Sequence, residues 1–430
     1  MSTPATNAPG PGPASPLPAL FALSFLCSVG TGIVTSGVYF LTTGAYRFST
    51  YQNYALGFFQ GLTYVAAAMV AGKVVRLVRR RLGVSSRMIL AVIISMLGLL
   101  CFIPLAAWRE TESPPAWPIW VMVLVYSPLT GFLWPLVENY VSGGRSGGSL
   151  RRALGMWNLF WSSALVVGFL LMGPLVGKAG APGLLSAQEL IAALGGLHLV
   201  TTLLLNKVRR EPGRHIHEHH EPHPPVYREL LGTFRILLPT SYFVLTALQP
   251  YMPRALGSLD IPVEWLAPFA GVWHLARVLT FLALDRWHGW HGRWMMAVAS
   301  IALLIGGFAA TVLGPRIPVG SAALVVAIGG LVAFGMGMAT TYTAALYYAM
   351  EVGQSDIDAG GTHESLIGLG YTVGPAAGLV AAFAVRPDAP EGRFECSVVV
   401  LVGALSLIAF LAAALLTHHH ATKSSRGVSR

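Results

Sequence analysis

Arg87-Met-Ile-Leu-Ala-Val92 recurs 206 residues further on as Arg293-Trp-Met-Met-Ala-Val298, within a long series of apolar segments. Two more pairs repeat at nearly the same interval: Gly173-Pro-Leu-Val-Gly177 with Gly374-Pro-Ala-Ala-Gly378, and Phe59-Gln-Gly-Leu-Thr-Tyr64 with Phe269-Ala-Gly-Val-Trp-His274. A duplicated set of membrane helices usually encloses a substrate path near the bilayer midplane, between its two halves. The repeat therefore predicts two related halves that together move a solute.

The composition is that of a membrane protein. Of the 430 residues, 54% are hydrophobic and only 11% are charged, whereas a soluble domain carries roughly 25% charged residues. A helix needs about 20 apolar residues to cross the hydrocarbon core of a bilayer. Twelve segments are long enough, near residues 17–44, 51–75, 87–107, 117–141, 153–177, 187–207, 232–253, 262–285, 293–314, 319–350, 361–385 and 396–417.

One long polar stretch divides these segments into two groups of six. We therefore predict an all-α polytopic membrane protein of two pseudo-symmetric six-helix bundles. The first residues contain no Lys or Arg, so we expect a disordered tail rather than a cleaved secretory signal. The predicted parts are the N-terminal tail at 1–16, a first bundle at 17–207, a cytoplasmic His/Pro-rich linker at 208–230, a second bundle at 231–417 and a tail at 418–430.

The basic residues that produce the formal charge of +10 are distributed by side of the membrane, so the charge does not indicate a nucleic-acid partner. With the N-terminus inside, the cytoplasmic loops and tails hold 19 Lys and Arg residues and the opposite loops hold 7, as the positive-inside rule requires. We therefore predict a monomer in the cell (inner or plasma) membrane, surrounded by lipid, with both termini cytoplasmic. Cys27, Cys101 and Cys396 lie in apolar segments without metal-type spacing, and no cofactor is expected.

These features together resemble the major facilitator superfamily over residues 17–417: twelve helices in two repeats, a long central linker, and a Gly-Pro-x-x-Gly element in the fifth and eleventh segments. The loop signature of that family is similar to Asp285-Arg286-Trp-His-Gly-Trp-His-Gly-Arg293, whereas Val75 stands where the first half would carry the acidic residue. Ser127 occupies the position of an arginine that is typical of the family's drug/proton antiporters. The resemblance implies the major facilitator fold and alternating access.

Ionisable side chains within membrane helices are costly unless they are paired or hydrated, so each is a candidate for substrate binding or coupling. Arg277 lies about two turns inside the eighth segment and needs an acid such as Glu138, a cluster of carbonyls, or an anionic substrate. His274 lies three residues earlier, on the same helical face, where it can relay a proton or serve a structural role.

The other polar candidates lie near the cytoplasmic ends of four segments. The resemblance implies a gate between the fourth and fifth segments and the tenth and eleventh, which would bring together Glu138, Asn158, His363 and Glu364. The alternative is that the two glutamates reach water at the helix ends, where Glu364 also suits a helix N-terminus. Aromatic residues on the path-facing segments predict an organic substrate if they line the cavity, or a membrane-interface belt if they do not; they include Trp134, Trp161 and Tyr342.

Charged loops predict a gate at the cytoplasmic side. The loop after the tenth segment contains Glu351, Asp356 and Asp358 and no Lys or Arg. We expect this loop to pair with Arg76, Arg79 or Arg80, and Asp285 to pair with Arg151 or Arg152. The alternative is solvated surface charge, because exposed ion pairs are worth only about 0–1 kcal/mol each. The loop signature adds Arg286 and Arg293 to the gating candidates, and close helix packing with bending adds Gly173, Pro174, Gly374 and Pro375.

The linker carries a histidine cluster with ligand-rich spacing for Zn²⁺ or Ni²⁺, although polar filler in a flexible segment is the alternative. Its members are His215, His217, His219, His220 and His223. The predicted function is secondary transport of a small organic solute, coupled to a proton or cation or driven by its own gradient, since no phosphate-loop motif is present. Divalent-metal efflux and a non-transporting membrane receptor are the alternatives, and no enzyme activity is expected.

Overall fold

A computed structural model describes residues 14–108, 114–178, 181–214, 223–352, 357–388 and 392–427. Within these ranges, twelve helices are long and apolar enough to cross a membrane, as the sequence predicts. They are α1 (Leu17–Gly44), α2 (Thr50–Leu82), α3 (Ser86–Ala106), α4 (Trp117–Ser142), α5 (Gly147–Val176), α6 (Ala187–Lys207), α7 (Pro225–Leu248), α8 (Val263–Arg286), α9 (Met295–Arg316), α10 (Gly320–Glu351), α11 (His363–Ala384) and α12 (Arg393–Thr417).

Helix α2 extends seven residues beyond its predicted end because both of its ends are specified by sequence. Ser49 and Gln52 form a capping box at the start, in which each side chain binds the backbone of the other residue, and this satisfies amides that have no partner within the helix. Arg79, Arg80 and Arg81 occupy the last turn, where positive charge suits the helix dipole. Gly83 then ends the helix in the left-handed conformation, at φ 64°.

Helix α7 begins at Pro225, seven residues before its predicted start. Proline suits the first turn of a helix, because its fixed φ is helical and its missing N–H would have no partner there. The first turns of this helix therefore occupy the end of the segment that the sequence assigns to the linker. A two-residue antiparallel pair, β1 (Gly177–Lys178) and β2 (Ala181–Pro182), follows α5 and leaves the all-α class unchanged.

We call the end of the bundle that holds the described part of the linker the linker face, and the other end the opposite face. The chain before α1 lies against the linker, since the Arg209 guanidinium donates to the carbonyl of Ala14 at 3.1 Å. Arg145, just after α4, donates to the carbonyl of Ser15 at 2.5 Å and to that of Val141 at 2.7 Å. One guanidinium thus caps α4 and anchors the start of α1.

The two halves meet along two helix pairs, α2 with α11 and α5 with α8. Glycines make both contacts close. A Cβ at Gly173 of α5 would overlap the carbonyl oxygen of Glu264 in α8, and a Cβ at Gly61 of α2 would overlap the backbone of Tyr371 in α11. Gly374 of α11 packs as closely on Thr246 of α7, within the second half. Pro174 and Pro375 follow Gly173 and Gly374 within α5 and α11. The predicted role of the Gly-Pro elements in close helix packing agrees with this geometry, whereas a role in bending stays a prediction.

Contacts between the halves occur at both faces. At the opposite face, the rings of Tyr51 and Phe383 lie edge to face with centroids 4.9 Å apart, and the Tyr54 hydroxyl donates to the carbonyl of Ala247 at 2.9 Å. At the linker face, Arg151 forms an ion pair with Glu351 at 2.7 Å. The two halves therefore contact each other at both faces, through aromatic and hydrogen-bond contacts at the opposite face and through an ion pair at the linker face.

Helix α1 contains an irregular turn beside this interior. Residues Ile33–Gly37 form a π-helical turn between two α-helical stretches. Such turns are rare and often mark functional sites in helices. The carbonyl of Thr35 in this turn accepts a hydrogen bond from the amide of Gln60 at 3.2 Å, and this bond links α1 to α2.

Candidate functional site

A cavity of about 110 Å³ lies between the two halves. Residues of α1, α2, α4 and α5 line it from the first half, and residues of α7, α8, α10 and α11 line it from the second. Its charged lining residues are Arg277 and Glu364, which are only 3% and 5% exposed. The repeat predicts a substrate path between the halves, and the cavity lies at that position.

Arg277 of α8 contacts the faces of two indole rings. Its guanidinium carbon is 4.5 Å from the ring centroid of Trp161 and 4.8 Å from that of Trp273, distances at which a cation is attracted to an aromatic face. Its Nη2 donates to Nδ1 of His274 at 3.1 Å. Its Nε has no hydrogen-bond partner among the described residues. The arginine is thus held in orientation by neutral groups.

Direct pairing with Glu138 or another carboxylate, one of the alternatives for Arg277, is not seen in the part of the chain that the structure describes. None of the ion pairs there includes this arginine. The two rings and His274 occupy its surroundings instead. Its positive charge is therefore enclosed in the protein without a carboxylate in direct contact.

His274 lies beside Arg277, as the three-residue spacing predicts. Its ring stacks on Trp273 with centroids 3.7 Å apart and lies 4.9 Å from Phe169 of α5. Because Nδ1 accepts from the guanidinium, the neutral ring carries its proton on Nε2. That nitrogen is buried and has no partner among the described residues. A proton-relay role for this histidine stays a prediction.

Glu364 of α11 forms the polar contact between the halves at the cavity. A carboxylate oxygen of Glu364 accepts a hydrogen bond from the hydroxyl of Tyr64 in α2. The Tyr64 ring lies 5.2 Å from Tyr371, which in turn lies 5.4 Å from Tyr242 of α7. Glu138 of α4 is close enough to interact electrostatically with Glu364. This interaction agrees with the predicted proximity of the two glutamates.

Tyr342 of α10 connects the two charged regions. Its ring lies 5.8 Å from Trp161 across the halves and 5.4 Å from His363 of α11. Asn158 does not contact the glutamates; its side-chain oxygen accepts from Nε1 of Trp161 at 2.9 Å. This bond fixes the orientation of the indole ring that faces Arg277. Asn158 therefore acts on the site through Trp161. Trp134, Trp161 and Tyr342 line the cavity, as the aromatic pattern predicts, while His363 and Glu138 lie next to it.

Several polar cavity residues are not among the sequence candidates: Thr31, Gln60, Tyr64, Ser127, Tyr242 and Tyr371. Tyr64 had a usable signal, because the repeat aligns it with His274. Each of these two residues holds a charged partner, Glu364 in one case and Arg277 in the other. The repeat thus preserves a polar group at equivalent positions of α2 and α8 and changes its chemistry.

The gate contains a different ion pair from the predicted ones. Arg151 pairs with Glu351, and the described residues show no ion pair between Asp285 and either Arg151 or Arg152. The Asp285 carboxylate faces α5 at Gly155, 3.7 Å from the position of an added Cβ. Neither pairing expected for Asp285 is seen among the described residues of this conformation, in which Arg151 is paired with Glu351 of α10.

The predicted partners of the basic residues on α2 are only partly described. Arg79 pairs at 2.9 Å with Glu211 of the linker, and lines a recess with Arg76 and Arg80. Asp356 and the side chain of Asp358 lie outside the described residues. The pairing of this recess with the acidic loop stays a prediction.

The signature loop between α8 and α9, bounded by Arg286 and Arg293, is fixed by a buried tryptophan. Nε1 of Trp290 donates to the carbonyl of Leu284 at 3.2 Å, and its ring lies 5.1 Å from Tyr347 of α10. The amide of Gly292 donates to the hydroxyl of Tyr348 at 2.9 Å. The loop is therefore packed on α10.

The histidine cluster lies almost entirely outside the described residues, which exclude His215, His217, His219 and His220. His223 is described, and its Nε2 accepts from Nε of Arg228 at 3.2 Å. The described residues contain no group of three or more His, Cys, Asp or Glu that could hold a metal ion. A metal site in the linker stays an untested prediction.

Comparisons with known proteins agree with this architecture. No protein-family model and no curated protein matches the chain. Among solved structures, an aspartate-to-alanine mutant of the nucleoside transporter NupG is 14% identical with a TM-score of 0.66, and the match covers 92% of this chain and 99% of that one. A structure of proton-dependent oligopeptide transporters is 13% identical with a TM-score of 0.67, covering 95% and 98%.

A third solved structure is a bacterial homologue of the human lysosomal transporter Spinster, in an inward-facing and occupied conformation. It is 14% identical with a TM-score of 0.60, and the match covers 95% of this chain and 96% of that one. The likeness extends over nearly the whole chain in each case. The protein therefore has the major facilitator fold, as its sequence predicts.

Proposed function

We propose that the protein is a proton-coupled secondary transporter that moves a small organic solute by alternating access. The observation that carries this proposal is the hydrogen bond between Tyr64 and Glu364, which joins the two halves beside the enclosed cavity. Cavities between the halves of a repeat are the usual substrate sites of secondary transporters. The fold shared with solved transporters supports the same function.

The cross-half bond couples protonation to helix movement. A hydrogen bond to an ionised carboxylate is roughly twice as strong as one between neutral groups. Protonation of Glu364 therefore weakens its link to Tyr64 and favours separation of α2 from α11. Glu138, which interacts with Glu364 electrostatically, offers a second position for the proton. A ligand or proton that binds one conformation more strongly shifts the population towards it.

The orientation in the membrane follows from the distribution of basic residues. The excess of Lys and Arg in the loops of the linker face supports a cytoplasmic location for that face. Both termini then lie in the cytoplasm, and the cavity is separated from the exterior by the contacts of Tyr51 with Phe383 and of Gly173 with Glu264. We assign the protein to the cell membrane as a monomer.

Reconstitution tests this proposal. The purified protein is placed in proteoliposomes with an imposed pH gradient and a panel of small anionic, neutral and cationic solutes. We expect one class to accumulate against its gradient only while the pH gradient is present. Glu364→Gln should abolish this accumulation and retain exchange of labelled for unlabelled solute, because its neutral side chain cannot exchange a proton.

Glu229→Gln, near the start of α7 and away from the cavity, is the matched control and should behave as the wild type. Accumulation that is independent of pH, and unaffected by Glu364→Gln, would overturn proton coupling. A failure of every solute to enter, with the protein folded, would overturn transport and favour the receptor.

A further inference from the structure

The strongest unexplained feature of the cavity is a positive charge that the protein encloses without neutralising it by contact. Arg277 is 3% exposed, and its guanidinium remains ionised in proteins. A charged group in a membrane helix is costly unless it is paired or hydrated. Tryptophan faces and a neutral imidazole orient the charge without cancelling it. The cost of enclosing it is most directly offset by an anion that arrives as cargo.

Two buried hydrogen-bond donors also favour an anionic ligand in this cavity. Nε of Arg277 and Nε2 of His274 are both buried without a partner among the described residues. Both are donors, since Nδ1 of the imidazole already accepts from the guanidinium. Buried polar groups normally have partners, and an unmet donor costs about 1–3 kcal/mol. An acceptor for either donor would supply lone pairs, and beside the guanidinium a negative charge is the most favourable form of it.

The remainder of the cavity limits the size and charge of the cargo. Leu165, Leu245 and Ile367 supply apolar lining, so the cargo has a hydrocarbon portion. The volume of about 110 Å³ is somewhat below the roughly 150 Å³ of a cavity that binds benzene. Glu364 lies in the same cavity and opposes a second negative charge. A single guanidinium therefore matches a monoanion better than a phosphate dianion.

We propose that the transported solute is a small organic monocarboxylate whose carboxylate binds Arg277. This inference rests on the proposed transport function, because it names the cargo of that same cavity. The carboxylate accepts from the N–H groups of the guanidinium, which Trp161 and Trp273 contact through their ring faces. The hydrocarbon part packs against the apolar lining. Glu364 carries the coupling proton separately from the substrate charge.

Thermal unfolding of the purified protein tests the binding without any assumption about transport. The probes are acetate, propionate and butyrate, each compared with its own amide at the same concentration, pH and ionic strength. A ligand of the folded state raises the Tm in proportion to its occupancy. We expect at least one carboxylate to raise the Tm and its amide, which has the same shape and no charge, to leave it unchanged.

Substitutions then assign the binding to the arginine. Arg277→Gln should weaken carboxylate binding at least tenfold, since hydrogen bonds to charged groups contribute about 1.5–3 kcal/mol. Arg81→Gln removes a positive charge from the exposed end of α2 and should not change binding. Because Arg277→Gln could also disturb folding, Trp161→Phe provides a second variant. It retains the charge and a smaller ring, and should weaken binding by less than Arg277→Gln does.

Each outcome has a distinct meaning. Equal stabilisation by acid and amide, or carboxylate binding that survives Arg277→Gln, overturns the assignment of the cargo. Accumulation of neutral or cationic solutes alone in the proteoliposomes also overturns it, while the transport function stands. Carboxylate binding that depends on Arg277, without any uptake, supports the site and overturns transport.

Discussion

The hydroxyl of Tyr64 donates a hydrogen bond to the carboxylate of Glu364, 300 residues away in sequence. This bond links α2 of the first half to α11 of the second at the wall of the central cavity. Both partners are buried, so water does not substitute for either. In the proposed function, this is the contact through which a proton on the carboxyl group would act on the arrangement of the two halves.

If the proposed function is right, removal of this bond should weaken the dependence of uptake on the pH gradient. Tyr64→Phe retains the ring packing on Tyr371 and deletes only the hydroxyl, which leaves a buried carboxylate without that donor. The loss of a bond to a charged group is worth about 1.5–3 kcal/mol, or roughly 10-fold to 100-fold in pH-driven uptake. Tyr126→Phe is the control, because its hydroxyl bonds His198 within the first half. Equal losses of pH-driven uptake in the two variants would contradict a specific coupling role.

The close approach of α5 to α8 should tolerate no side chain. Gly173→Ala places a methyl group against the carbonyl of Glu264, and overpacking of this kind typically costs about 1–3 kcal/mol. We expect a lower Tm and a weaker closure of the opposite face. Gly196→Ala in α6 is the control, since an added Cβ there meets nothing within 4 Å. Thermal unfolding of both variants measures the difference, and a Tm of Gly173→Ala equal to the control would argue against tight packing here.

Loss of the ion pair at the linker face should lower the Tm only slightly, and the loss should depend on both partners. Arg151 is 52% exposed and Glu351 is 23% exposed, and exposed pairs contribute about 0.2–1 kcal/mol. Arg151→Glu should lower the Tm slightly and slow the transport cycle. The double exchange with Glu351→Arg should recover both. Arg152→Glu changes a neighbouring charge that has no ion pair in the described residues, so it should not be rescued by Glu351→Arg.

His291 should make stability depend on pH. Its ring stacks on Tyr347 with centroids 4.1 Å apart. Burial, together with His288 and Arg151, lowers the pKa of His291 below its ordinary 6.5. The folded protein therefore favours the neutral ring, and its contribution to the free energy of unfolding is present above pH 6.5 and is lost as the pH falls from there towards the folded pKa.

The Tm of the wild type between pH 7.5 and 5.5 measures this effect. His291→Gln should show a smaller decrease in Tm over that range, while His223→Gln, at the linker, should follow the wild type. A decrease of the same size in His291→Gln would assign the pH dependence to other groups. The comparison is made on differences, so titration of the remaining histidines cancels.

The sequence predicts the scaffold well because each membrane helix carries its own signal. Apolar length alone places α1 to α12, since every span must bury its backbone polar groups within itself. The pairing of His274 with Arg277 is equally local, because residues three apart share one helical face. For the same reason, the repeat locates the cavity between the halves without any knowledge of side-chain contacts.

Contacts between distant helices are not local and could not be read in this way. The bond from Tyr64 to Glu364 depends on how α2 crosses α11, and the position of Trp161 over Arg277 depends on how α5 crosses α8. The gate shows the limit most clearly. Arg151 selects Glu351 and leaves Asp285 unpaired in the described residues, because small rotations of neighbouring helices decide which exposed charges meet.

The π-helical turn at Ile33–Gly37 in α1 has a mechanical consequence. A π turn accommodates one residue more than an α-helical turn, and each residue of an α-helix advances the chain by about 100° around the axis. Relaxation of this turn to regular helix would therefore twist the outer part of α1 by about that angle. Tyr39, whose hydroxyl lies 3.5 Å from the side-chain oxygen of Gln60, would swing away from α2. Relaxation of the π turn would thus rotate the part of α1 after Gly37 while the part before Ile33 keeps its position.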